Sequence, residues 1–244
     1  MTGVTGAIGN ADGAAGRERV SIPPNAFYVP SPVILLSTVD SDGQVDVSAM
    51  SAVGVVCLDP PVIAVGIKAR RRTYRNIRRT GTFVVNLPLE EDLHAVDFTG
   101  TRKFRHAPDK VAESGLGIAT LPETGLPYVV SCPVAMACEL VGNLGRTELG
   151  LDGPPSHQVV LGRITECTVE RQWLAEDELR LEDMPVLLYL NRVYSARGRN
   201  LGVQRFTDDP EVMAAKLREY RSLSIERKGP GWTSRPSTTS STGS

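Results

Sequence analysis

Seven lysines and arginines fall within the fourteen residues "KARRRTYRNIRRTG", positions 68–81. Cations at this density serve three kinds of chemistry: contacts to a nucleic-acid backbone, a solvated helix face, or a grip on one phosphate. The whole chain carries 27 Lys and Arg against 28 Asp and Glu, a formal net charge of -1. Such a balance gives no global basic excess to recruit nucleic acid or acidic lipid, and no aromatic interleaving accompanies the cluster. Within it, Thr73 reads as a helix N-cap whose hydroxyl accepts from the N–H of residue 75 or 76. Tyr74 and Ile77 form a thin buried stripe, Gly81 stops the helix, and Arg78 and Arg79 complement the C-terminal dipole. That leaves Lys68, Arg70, Arg71 and Arg72 ahead of the helix, where free N–H groups favour an anion. A helix N-terminus contributes about 0.3–1 kcal/mol with a single charge. Hydrogen bonds to charged groups contribute roughly 1.5–3 kcal/mol each, so several arginines hold a phosphate far better than the dipole alone. Spacing by itself leaves the phosphate grip and the solvated face both open.

Other chemistry is sparsely signalled. There is no G-x-x-x-x-G-K-[ST], and "GNLGRTELG" at 142–150 does not match G-x-G-x-x-G, so neither a P-loop nor a dinucleotide fingerprint is supported. Of the three histidines, His94, His106 and His157, the last stands out because it opens a long strand after the turn-rich "GPPS". The four cysteines, Cys57, Cys132, Cys138 and Cys167, fall in segments that read as strands, with no C-x-x-C and no histidine at metal-ligand spacing. They read as buried thiols, and no metal site is expected.

The elements that must position these residues are mostly strands. "SPVILLSTVDSDGQVDVSAMSA" reads as strand, Asp42-Gly43 turn, strand, and Pro60-Pro61 divides "VGVVCLDPPVIAVGIK" into two more. "TFVVNLP", "SCPVAMACELVG", "HQVVLGRITECTVER" and "MPVLLYLNRVYSARG" each read as one strand, while "LEEDLHAVDF" and "DKVAESG" read as short helices. No strand–long helix–strand unit repeats. The pattern is therefore mainly β: an antiparallel barrel with short crossover helices. An amphipathic helix is expected at 209–222, with Met213, Leu217 and Tyr220 on one face. Residues 1–20 and 229–244 read as tails, 21–205 as one domain and 206–228 as a helical extension. No apolar run approaches the ~18 residues of a membrane span. The N-terminus lacks the pattern of a signal peptide, and a cytoplasmic protein is expected.

From Tyr28 to Gly198 the order of these segments resembles the flavin reductase-like family of FMN-binding split barrels. The residues that carry the resemblance are the double proline, the T-x-x-N-I helix start (Thr73, Asn76, Ile77), "FVVN" at 83–86, "DKVAESGL" and "SHQVVLGRI". The resemblance implies a split β-barrel, usually a homodimer, with FMN near the subunit interface. It implies that Asp46, Val47, Ser48, Ala49, Met50 and Ser51 line the isoalloxazine ring, largely through backbone groups and the Ser48 and Ser51 hydroxyls. Arg71, Thr73 and Asn76 would hold the phosphate with Lys68 nearby. Asn86 would sit near the flavin, Lys110 would help close over it, and His157 would face the nicotinamide as the catalytic candidate. Asp46 stands where the family commonly has Asn, and Val111 where Phe is usual. The implied activity is NAD(P)H-dependent flavin reduction, a hydride passing from NADH or NADPH to flavin N5. Reduced flavin or its electrons would go to a partner monooxygenase or another acceptor. A flavoenzyme for one specific metabolite, built on Asp46, His157 and the basic segment 101–106, and a flavin-holding electron carrier are the alternatives.

Overall fold

A computed structural model describes residues 19–198, except 103–106, 154 and 176–177. The expected helix at 209–222, most of the N-terminal tail and the C-terminal tail lie outside the described residues, as does His106. The elements in order are β1 (Ser31–Pro32), β2 (Ile34–Val39), β3 (Val45–Met50), β4 (Val53–Leu58), β5 (Pro61–Ile67), α1 (Arg72–Thr80), β6 (Thr82–Leu87), α2 (Leu93–Thr101), α3 (Lys110–Glu113), β7 (Ile118–Thr120), β8 (Pro127–Val129), β9 (Val134–Leu144), β10 (Gln158–Val169), β11 (Leu174–Ala175), β12 (Glu178–Leu179), β13 (Leu187–Leu190) and β14 (Val193–Ala196).

Seven strands form the main sheet in the order β3-β2-β6-β9-β10-β5-β4. Every strand pairing among the described residues is antiparallel. Strands β3 and β4 are consecutive in the chain yet occupy opposite edges of this sheet. Only a sheet curled nearly onto itself brings its two edges within reach of so short a link. The Gly66 N–H donates to Ala52 O at 2.7 Å, carrying the β4–β5 ladder into the β3–β4 link. This is the antiparallel barrel expected from the strand pattern, in the split form the resemblance implies.

Alternation along each strand sorts side chains to two apolar clusters. Inside the barrel, Ile34 and Leu36 of β2 meet Ile63, Val65 and Ile67 of β5, Phe83 and Val85 of β6, and Val160 of β10. Ile77 of α1 plugs the end of this cluster. On the outer face, Leu35 and Val47 pack beneath Val96 of α2 with Val129 and Leu187. Phe83 reaches over β9 to β10 because Gly162 has no side chain: a Cβ there would stand 2.3 Å from Phe83 Cζ.

Three details depart from the reading of the sequence. "MPVLLYLNRVYSARG" folds as two strands, β13 and β14, because Asn191 and Arg192 both take positive φ and turn the chain. The hairpin of β7 and β8 was not anticipated; its three-residue strands are too short to show a period. The cysteines are less uniform than expected: Cys132 and Cys138 are buried, Cys57 is half-buried and Cys167 is exposed. Cys132 lies between strands β8 and β9 rather than in one. Burial pushes the Cys138 thiol up to about 12 and raises that of Cys132 further, so both stay protonated at neutral pH.

Candidate functional site

Helix α1 begins two residues earlier than the Thr73 hydroxyl suggested. Arg71, in extended backbone, is the N-cap residue and makes no side-chain capping bond; Thr73 is already inside the helix. Its first N–H groups have no intrahelical acceptor, since the first closing bond runs from Arg75 N to Arg71 O. Gly81 ends the helix at φ 73°, and Arg78 and Arg79 occupy its last turn, as expected.

The Thr73 hydroxyl turns inward instead. It stands 2.7 Å from Asp46 Oδ2, to which it donates, and 3.0 Å from Ser48 Oγ. Lys110, the first residue of α3, reaches the same point: its Nζ lies 2.8 Å from Asp46 Oδ1 and 2.9 Å from Ser48 Oγ. All four side chains are buried, with Asp46 1% and Lys110 2% exposed. Burial holds the Lys110 ammonium below the ordinary lysine value, and the Asp46 charge pulls it the other way. Asn76, one turn along α1, donates to Thr38 Oγ1 at 3.0 Å. The mouth of the barrel below α1 is thus a closed polar network tying α1, α3, β2 and β3 together.

The cations ahead of α1 divide in three directions. Arg72 pairs with Asp40 and also donates to Gln44 Oε1 at 3.0 Å. Asp40 in turn accepts the Asp42 and Gln44 N–H groups, each at 2.9 Å, so the β2–β3 turn is braced against the helix start. Arg71 donates to Gly100 O, 2.7 Å away at the C-terminal turn of α2. Lys68 and Arg71 are half-buried and Arg70 is exposed. These three are the cations that flank the uncapped helix end.

His157 joins this cluster from the neighbouring strand. It precedes β10, whose Gln158 pairs with Ile67 beside Lys68. An added Cβ on Gly66 would lie 3.0 Å from Ala52 Cβ and 3.9 Å from His157 Cβ, so the β3–β4 link and His157 converge. Burial, then Lys68, then Arg71 lower the proton affinity of the imidazole. All three favour the neutral ring, whose Nδ1 lies 2.8 Å from Ser156 Oγ.

The structure therefore separates the expected flavin residues. Lys68, Arg71, Ala49, Met50, Ser51 and His157 are half-buried around the barrel mouth. Asp46, Ser48, Thr73, Asn76 and Lys110 lie together beneath it, buried, with side chains that pair with one another or with Thr38. Val47 faces the outer apolar cluster. Asn86 is not brought to the site: it is fully buried on the outer side, donating to Leu35 O and Ser37 Oγ and accepting from Val129 N at 2.9 Å. Its amide is a cross-link between strands. Asp46 is buried and paired with Lys110. Sequence reasoning missed Thr38, Asp40 and Gly100. The Asp40-x-Asp42-Gly43 pattern carried a turn signal for Asp40, but nothing local marks its pairing with Arg72.

The donor set fits a phosphate monoester: helix N–H groups that no side chain among the described residues caps, two half-buried cations and one exposed cation. β3, an edge strand, leaves one line of backbone groups unpaired by the sheet for a flat heterocycle. Among the described residues, no cluster of His, Cys, Asp and Glu could hold a metal ion.

A curled antiparallel sheet whose consecutive strands β3 and β4 lie on opposite edges defines a split-barrel class of fold. The family model described as "Flavin reductase like domain" matches residues 26–197, and the chain belongs to that family. Flavoredoxin of Desulfovibrio vulgaris has a similar structure, with a TM-score of 0.69 and 24% identity, covering 79% of this chain and all of that one. Nitrilotriacetate monooxygenase component B from Bacillus cereus gives 0.65 and 20%, covering 77% of this chain and all of that one. An uncharacterised protein of Aeropyrum pernix is 34% identical over 82 residues, 34% of this chain and 31% of that protein. An NADH:riboflavin 5'-phosphate oxidoreductase of Streptomyces pristinaespiralis is 29% identical over 131 residues, 52% of this chain and 71% of that protein. The chain spans 31%, 60% and 55% of the relatives from Aeropyrum pernix, Aquifex aeolicus and Pyrococcus abyssi, less than two thirds of the length of each.

Proposed function

We propose that this protein is an NAD(P)H-dependent flavin reductase that binds FMN. The observation that carries the reading is the α1 N-terminus, whose N-cap residue Arg71 makes no side-chain capping bond and which Lys68, Arg70 and Arg71 flank at the mouth of a flavin-family split barrel. The amides of the first turn, with Arg71 and Lys68, would hold the phosphate. The edge-strand backbone of β3 and the Ser51 hydroxyl would line the ring. When bound, FMN would supply the two-electron redox chemistry, and the protein would supply placement and electrostatics. His157 would stand beside the nicotinamide; as a neutral imidazole it would offer a hydrogen bond without adding a charge that opposes hydride departure. Gly100 O orients Arg71, so the phosphate cation would be placed before any ligand arrives.

A homodimer fits the same reading. β4 is an edge strand whose Val55, Val56 and Leu58 are 67%, 57% and 85% exposed. A run of this kind invites a second chain, and the family places flavin near such an interface. Reduced flavin or its electrons would pass to a monooxygenase or another acceptor. That the structurally similar Bacillus cereus protein is itself a monooxygenase component supports this.

The deciding experiment is the visible spectrum of the purified protein with FMN, before and after NADH or NADPH. Retained flavin absorbance that either nucleotide bleaches is expected. A protein that retains no flavin, or bound flavin that neither nucleotide bleaches, would overturn the proposal.

A further inference from the structure

We propose that the groove between α2 and β14 seats this chain's own segment 209–222, docked antiparallel to α2. Two adjoining cavities, of about 400 and 470 Å³, share Leu93 and Tyr194 and so form one groove. One cavity runs past Asp97 and Phe98 to Thr101 and Arg102, and the other opens toward Glu90, Glu91, Ser195 and Ala196. Helix α2 turns Ala95, Val96 and Thr99 to the barrel. It leaves Leu93 39% exposed and Phe98 half-buried on the groove side. The walls are set by contacts of their own. Tyr194 donates to Asp97 Oδ1 at 3.3 Å and packs on Tyr189 with ring centroids 5.1 Å apart. The His94 ring stacks on Phe98, and the Arg102 guanidinium lies 5.4 Å from the centroid of that ring. The groove therefore offers an apolar floor, two carboxylates at one end and a guanidinium at the other.

Position, pattern and charge select the occupant. Strand β14 ends at Ala196, itself a groove residue, so the chain leaves the sheet at the Glu90–Glu91 end. Residues 197–208 reach up to about 40 Å when extended, enough to pass the groove and start a return at the Arg102 end. The sequence of 209–222, outside the described residues, opens with the helix-start signal Asp209-Pro210. Met213, Leu217 and Tyr220 then fall on one helical face. Fourteen residues at the helical rise span roughly 20 Å, as do residues 90–102 along the groove. Lys216 and Arg221 flank the apolar face on its two sides. Run antiparallel to α2, the segment brings Arg221 and Lys216 toward Glu90 and Glu91, and Asp209 toward Arg102. The tether holds the segment at high effective concentration beside this one surface.

The test is disulfide trapping in the full-length chain, and it reads no flavin. Cys57→Ser and Cys167→Ser first remove the two cysteines that are not buried. Leu93→Cys and Tyr220→Cys are then added, and the protein is oxidised with diamide and followed by non-reducing electrophoresis. A disulfide within one chain is expected at least about tenfold faster than in a control with Arg163→Cys in place of Leu93→Cys. Arg163 is exposed on β10, four strands along the sheet from β3. Equal rates in the two proteins, or a product that joins two chains, would overturn the proposal. Should the cysteine variants fail to fold, hydrogen exchange on the protein with its own cysteines decides. Amides of 209–222 should exchange about tenfold more slowly than those of 229–244. Leu93→Lys should abolish that difference while β9 and β10 stay protected. Rapid exchange of 209–222 in the unaltered protein, or protection that survives Leu93→Lys, overturns the docking.

Discussion

The Lys110 ammonium lies 2.8 Å from Asp46 Oδ1, with both side chains at 3% exposure or less. Desolvating two ions is expensive, and removing one partner of such a pair is worse than removing both.

Stability should follow that asymmetry. Lys110→Met, which strands a buried carboxylate, should lose about 3–5 kcal/mol in urea denaturation at pH 7. Asp46→Asn should lose less, because Lys110 already holds its proton less tightly than an ordinary lysine and can release it. The double variant should regain most of the loss. A double variant less stable than Lys110→Met would show that the network is held by something other than the charge pair.

The β2–β3 turn carries a second charge device with its own pH signature. The Arg72 hydrogen bond, joined by backbone bonds from Gln44 and Asp42, holds Asp40 below its ordinary value of 3.8. A depressed folded-state value contributes stability that is complete above the unfolded value and is lost as pH falls through the folded one. Acid titration of wild type should therefore show a loss beginning below about pH 4. Asp40→Asn should flatten that part of the profile while lowering stability at neutral pH. An unchanged acid profile in Asp40→Asn would remove Asp40 from the linkage.

Much of the frame was legible before any coordinates, for reasons visible in particular residues. Pro60-Pro61 and Asp42-Gly43 fix strand ends by backbone chemistry alone, and the long alternating runs of β9 and β10 leave little choice of element. Gly81 marked the end of α1 by its left-handed conformation. What stayed hidden is long-range. Thr73 looked like a cap because a hydroxyl at a helix start usually is one; only the fold shows Asp46 waiting beneath it. Asn86 looked like a cofactor contact by its place in "FVVN", yet cross-strand register makes it a link between β2, β6 and β8. Neither choice is written in local sequence, since each depends on which face of a strand meets which neighbour.

Gly162 tests the barrel interior. Any Cβ there would stand 2.3 Å from Phe83 Cζ and 3.0 Å from Cys138 Cβ. Gly162→Ala should therefore destabilise by roughly 1–3 kcal/mol through overpacking, seen as a lower denaturation midpoint at an unchanged m value. Adding Phe83→Leu should return part of the loss. A neutral Gly162→Ala would mean that the aromatic ring moves aside freely.

His157 reports on the cations it faces. Its proton affinity is lowered first by burial and then by Lys68 and Arg71. Protonating it adds a third positive charge to that group, so an anion placed among them should make protonation easier. In NMR titration, with the His157 signal assigned by its loss in His157→Asn, the imidazole should titrate below 6.5 in the flavin-free protein. FMN should move that midpoint upward, and riboflavin, which offers no phosphate, should leave the cationic contribution in place. The direction matters more than the size: the ring itself adds burial, which pushes the midpoint down, so FMN and riboflavin should shift it in opposite senses. A downward shift of equal size with both flavins would place the phosphate away from Lys68 and Arg71, and the search for its binding groups would then move to another edge of the barrel mouth.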